Sequence, residues 1–295
     1  MAVPESIGGY ESINLKKNSS SPRTLFSTVM SVVATLCAVL AIIPLFAVLF
    51  YLLRQGVQYL SPSLFVKLPP PPLADIGGFG NAFVGTLLTV GIASAISIPV
   101  GILAAVFLAE FAKDTAAPDE NWIDFAVNIL AGVPSIVMGT FAWATIVLTT
   151  GTYSAVAAGV ALAILMLPTI VRTASEALEA VPGSYRQASI GLGAGKVDTV
   201  LRIVLPAATP AIVTGVMLAV ARAIGETAPV LFTALFSQFW NRTVWEPTAT
   251  LSMLVYSFAQ VPYKNQQNLA WAGALVLVAI VLFLNILARW ITRKR

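Results

Sequence analysis

Six stretches of this chain stay apolar for longer than a soluble domain requires: residues 25–53, 81–109, 125–149, 153–171, 203–239 and 269–291. About 20 apolar residues carry a helix across a hydrocarbon core. Backbone in lipid satisfies its polar groups only as helices or as a closed barrel, and the ten-residue alternation of barrel strands is absent. The expected fold is all-α: a polytopic membrane protein with six transmembrane helices. Composition agrees, since 58% of residues are hydrophobic and 10% charged, where soluble domains carry roughly 25% charged residues.

Chemistry is narrowed by what is missing. The sequence has no histidine and a single cysteine, Cys37, which removes Ser-His-Asp and Cys-His catalysis, His-based metal sites and any intrachain disulfide. No metal site and no catalytic residue is expected, and the chain is read as a non-enzyme.

The segments between the spans set the topology. Residues 1–24 form a polar tail; the 25–53 run is too long for a signal-peptide core and is read as a retained N-terminal span. Residues 54–80 make a loop with four consecutive prolines at 69–72 and a turn at Gly77 and Gly78. Residues 173–202 are too charged to insert, 240–268 hold interfacial Trp240, Trp245 and Tyr263, and 292–295 are a basic end. Six spans put both termini on one side. That side collects Lys16, Lys17, Arg23, Lys113, Arg172, Arg186, Lys196, Arg202, Arg289, Arg293, Lys294 and Arg295, leaving only Arg54, Lys67, Arg242 and Lys264 opposite. The positive-inside rule therefore makes both termini cytoplasmic.

Arg222 and Glu226 fall inside the fifth apolar run, in R-A-I-G-E-T-A-P-V-L-F-T-A. One charge at bilayer depth costs about 2.5 to 3.5 kcal/mol on insertion scales, so two there require partners, water or a substrate path. Pro229 lacks the N–H that would bond to Gly225 and its ring crowds that carbonyl, so the helix should break beside the charges. A helix restarting at Pro229 would turn free N–H groups and its positive end toward Arg222, as suits an oxyanion. A straight helix puts Arg222 about 24 Å beyond Pro206. Arg172, at the end of the fourth run, reads as an interfacial anchor in position to meet a leaving anion.

The cytoplasmic segment 173–206 holds Q-A-S-I-G-L-G at 187–193, nine residues, then I-V-L-P at 203–206. Its G-L-G-A-G-K does not make a P-loop: Ile190 stands at the first glycine position, Val197 follows the lysine, and no strand precedes it. The 187–206 pattern instead resembles the EAA loop of type I ABC importer permeases, with Gln187 in place of the usual Glu and Ser189 in place of the second Ala. The segment around Arg222 resembles the PstA family of phosphate-importer permeases, as do G-G-F-G-N-A-F-V-G-T-L at 77–87, G-V-P-S-I-V at 132–137 and L-P-T-I-V-R-T at 167–173.

The resemblance implies a bacterial inner membrane and a permease core over residues 81–291 that couples at Tyr185, Arg186, Gln187, Ala188, Ser189, Gly193, Ala194 and Pro206 to ATPase subunits. Its substrate pathway would use Arg222, Gly225, Glu226, Thr227 and Pro229. Implied partners are a PstC-like second permease subunit, two PstB-like ATPase subunits and a PstS-like phosphate-binding protein. Inorganic phosphate would be the cargo, and the partner subunits would bind ATP and magnesium, with no cofactor in this chain and no nucleic acid. Two other functions fit parts of the sequence: a permease for sulfate or molybdate, and an ion-coupled secondary carrier, which would need no docking segment.

Overall fold

A computed structural model describes residues 22–74, 77–112 and 119–293. The tail up to residue 21, Lys113, Lys294 and Arg295 lie outside the described residues. Two compact units are present, Met1–Tyr51 and Leu52–Arg295. In the first, the described part belongs to one apolar helix, α1 (Pro22–Gly56), which runs through Pro44 without a break.

The second unit is all helical among its described elements. In chain order these are α2 (Gly80–Phe111), α3 (Asp119–Gly132), α4 (Ser135–Thr150), α5 (Ala155–Glu179), α6 (Gly183–Gly191) and α7 (Lys196–Gly225). They are followed by α8 (Ala228–Thr233), α9 (Leu251–Ala259) and α10 (Lys264–Arg293). By length and composition α1, α2, α5, α7 and α10 suffice to cross a membrane; α3 and α4, bent by 105°, add a sixth crossing if the pair is one broken span rather than a re-entrant loop.

The core is built around α5, which packs against α2, α7, α3 and α4. Leu162, Met166 and Ile170 are fully buried along it. Small residues let the backbones approach: Gly159 of α5 lies against Ile92 of α2, and Gly101 of α2 against Ile170 of α5, each too close for a Cβ. Close packing of this kind drives helix association in lipid, where hydrophobicity supplies little. Hydroxyl groups are silenced locally, as Thr86, Thr89, Thr173 and Thr209 each donate to the carbonyl four residues back.

Four expected boundaries move. The run 125–149 is not one straight span: α3 ends at Gly132, the residue before Pro134 cannot stay helical, and the chain turns by 105° into α4. The fourth span does not end at Pro168 or Arg172, because α5 continues to Glu179. Residues 173–179, read as cytoplasmic connector, are its last two turns.

The fifth span does not begin at Ile203 or reach Phe239. Helix α7 starts at Lys196 and carries a π-turn over Val200–Val204, just ahead of Pro206. Pro206 would have no N–H for the carbonyl of Arg202, and the wider π-turn relieves the clash of its ring. Beyond Thr233 the chain is irregular up to Thr250. Finally, the loop expected over 240–268 contains a buried helix, α9, with Leu251, Met253, Leu254 and Phe258 inside. Thr86 of α2 accepts a hydrogen bond from the N–H of Leu251 at 2.9 Å, fixing that helix start to the bundle.

Candidate functional site: an arginine-lined cavity and a docking segment

Helix α7 ends at Gly225, Glu226 turns extended, and Thr227 leads into α8, which has Pro229 in its first turn. The expected break is present. Helix α8 is only six residues long, too short for the anion-cradling end anticipated from Pro229. That residue is buried instead, and its Cα lies 2.6 Å from where a Cβ on Gly139 of α4 would stand. Its position is a packing contact between α4 and α8. The break is also braced from α9, where the Ser252 hydroxyl donates to the Glu226 carbonyl at 2.9 Å.

Across the break, Arg222 Nε donates to Glu226 Oε1 at 3.3 Å. The arginine side chain is 59% exposed on the single chain and the glutamate 18%. Arg222 lines a cavity of about 90 Å³ with Leu130, Ala131 and Val133 at the end of α3, Met138 of α4, and Leu165, Pro168, Thr169 and Arg172 of α5. The interruption between α3 and α4 therefore borders one small space lined by two arginines. Gly225, Glu226, Thr227 and Pro229 do not line it.

Arg172, read from the sequence as an interfacial anchor in position to meet a leaving anion, lines this cavity beside Arg222. A signal existed, because Leu165, Pro168, Thr169 and Arg172 recur at three- and four-residue steps and so share a helix face. What the sequence hid was that the helix continues beyond Val171 to Glu179.

On the other side of the bundle, α6 and the start of α7 form a hairpin closed by Gly193. The glycine adopts φ +84°; its N–H bonds to the Ile190 carbonyl at 2.9 Å and that of Ala194 to Ser189 at 3.1 Å, a Schellman end. Tyr185, Gln187, Ala188, Gly193 and Pro206 are exposed. Ile190, Leu192 and Val197 stand out beside them at 60%, 90% and 57% exposure.

Two of the expected coupling residues instead face inward. Ser189 is buried and its hydroxyl lies 2.8 Å from that of Thr199, joining the two arms of the hairpin. Thr199 directs its own proton to the Gly195 carbonyl, so Ser189 is the donor. Arg186 turns toward Glu110 and the end of α5.

Residues 97–295 match the family described as binding-protein-dependent transport system inner membrane component. The chain is 39% identical over 252 residues to the phosphate transport system permease protein PstA of Yersinia pestis, covering 84% of this chain and 83% of that one. It is 36% identical over 269 residues to PstA 1 of Mycobacterium tuberculosis strain ATCC 25618 / H37Rv, covering 87% and 85%.

The chain belongs to the PstA family of binding-protein-dependent permeases. Solved structures agree on the fold. The inward-facing MetNI methionine ABC transporter superposes with a TM-score of 0.61 at 20% identity, over 72% of this chain and 94% of that one. A bacterial alginate ABC transporter in complex with its periplasmic protein gives 0.66 at 14%, over 92% and 96%. As a PstA-family permease the chain is a multi-pass membrane protein with the type I ABC importer fold.

Proposed function

We propose that the chain is the permease subunit of an ATP-driven phosphate importer and forms half of its translocation pathway. The observation that carries this reading is the cavity lined by both Arg172 and Arg222 beside the interruption between α3 and α4. Two guanidinium groups at one small site suit a tetrahedral oxyanion, and the PstA relatives are named for phosphate transport. Arg222 is too exposed on the single chain to face lipid. A second, PstC-like permease subunit would cover it and complete the pathway.

The exposed apolar residues Leu192, Ile190, Val197 and Tyr185 on the polar hairpin suit docking of a PstB-like ATPase, one of two that would bind ATP and magnesium. A PstS-like protein would deliver phosphate on the opposite face, and both termini would be cytoplasmic. Nucleotide-driven closure of the ATPases would rock the permease pair, and hydrolysis would reset it. This chain carries and couples without covalent chemistry.

The test is uptake by the reconstituted complex in proteoliposomes. ATP-dependent phosphate uptake, lost at least tenfold in Arg222→Gln with the ATPase still bound, is the expected result. Preference for sulfate or molybdate would reassign the cargo, and uptake by this chain without ATP would replace the importer with a secondary carrier.

A further inference from the structure

The inward face of α2 repeats Ala93, Ser97, Gly101 and Ala105, one buried residue in every four. Within the π-turn over Phe107–Phe111, Ala109, four after Ala105, stays buried, and Glu110 beside it is buried as well, its side chain 7% exposed. In an uninterrupted α-helix the next residue in phase is 109, and Glu110 lies about 100° further round. The π-turn thus carries a carboxylate that faces into the protein.

Arg186 of α6 meets it there. Its Nε donates to both carboxylate oxygens at 3.2 Å and Nη2 to Oε1 at 2.5 Å. The remaining reach of the same guanidinium caps α5: Nη1 donates to the Val181 carbonyl at 2.6 Å and Nη2 to that of Leu178 at 2.8 Å. The hydrogen bond that Arg186 donates to Glu110 raises its pKa above its ordinary value, with burial opposing and the carboxylate's charge adding. One side chain thus holds the docking hairpin, the end of α2 and the end of α5 at a single point, and α5 carries Arg172.

We infer that the Glu110–Arg186 pair is the joint through which movement of the docking hairpin is delivered to α2 and α5, and so to the arginine-lined cavity. It is a positioning pair, since neither residue touches the cargo. The continuous helix α7 supplies one path from the hairpin to Arg222; the ion pair supplies the other, to Arg172. The inference rests on the reading of the chain as an ATP-driven permease.

The measurement is ATP hydrolysed per phosphate imported, in the complete reconstituted complex. Glu110→Gln keeps the shape and removes the charge; Arg186→Lys keeps the charge but cannot hold a carboxylate and two carbonyls together. Each is expected to retain the ATPase subunit and hydrolyse ATP within about twofold of wild type, while the ATP spent per phosphate rises at least tenfold. An unchanged ratio overturns the inference, as does a parallel fall in hydrolysis and uptake, loss of the ATPase from the complex, or failure of both variants to assemble. A wild-type complex without ATP-driven phosphate uptake overturns the functional reading instead.

Discussion

Arg222 and Glu226 remain paired at 3.3 Å although the helix that would space them ends between them. The glutamate stands beside the cavity rather than in its lining, so its effect on an anion is electrostatic and acts through Arg222. Phosphate near neutral pH keeps a P–OH that a carboxylate tolerates, whereas sulfate has none. Glu226→Gln is therefore expected to raise sulfate uptake relative to phosphate by at least a few fold in proteoliposome competition. Unchanged discrimination with unchanged phosphate uptake would remove Glu226 from selectivity. Arg172→Gln should lower phosphate uptake at least tenfold with normal assembly, because it removes one of the cavity's two cations; an anchor at the interface would not do so. Ser189→Ala deletes one buried donor but leaves Thr199 its bond to Gly195. A loss of about 1 kcal/mol is expected in the thermal stability of the permease.

Among the elements, the short pieces carry the site and the long ones hold it. Helix α8 has six residues and little hold of its own, so its place depends on Gly139 and on the Ser252 bond to Glu226. A side chain at 139 meets the Pro229 backbone, which cannot swing aside as a flexible side chain would. Gly139→Leu should strain the α4–α8 contact by about 1 to 3 kcal/mol and depress uptake, visible as a lowered melting temperature of the detergent-solubilised complex. The same change at Gly91, where nothing lies within contact range, is the control and should leave the melting temperature nearly unchanged. The π-turns at Phe107–Phe111 and Val200–Val204 serve different ends. One carries the buried Glu110, and the other lets α7 pass Pro206 without breaking.

The whole molecule is arranged so that its two charged regions, an arginine cavity and a docking hairpin, are joined by rigid helices. Neither region is complete in one chain: Arg222 is 59% exposed and Leu192 90%. Leu192→Glu should barely alter the permease's own stability, since the side chain touches little. Recovery of the ATPase subunit on affinity purification should nevertheless fall severalfold, and normal recovery would place docking elsewhere.

Sequence alone determined the class and the route of the chain, because both follow from local quantities. Apolar length fixes spanning helices, the distribution of Lys and Arg sets the expected orientation, and Pro229 announces the break beside Arg222. The turn at Gly193 was legible for the same reason, since it demands a residue that tolerates positive φ. Tertiary structure decided what depends on neighbours far along the chain. It assigned Arg172 to the cavity by continuing α5 beyond Val171, gave Pro229 to packing against Gly139, and placed α9 within a stretch that reads as loop. It also turned Arg186 from the docking face to Glu110, 76 residues away. No period in the sequence encodes that pair, since it joins a carboxylate in a π-turn to a distant segment that packs against it.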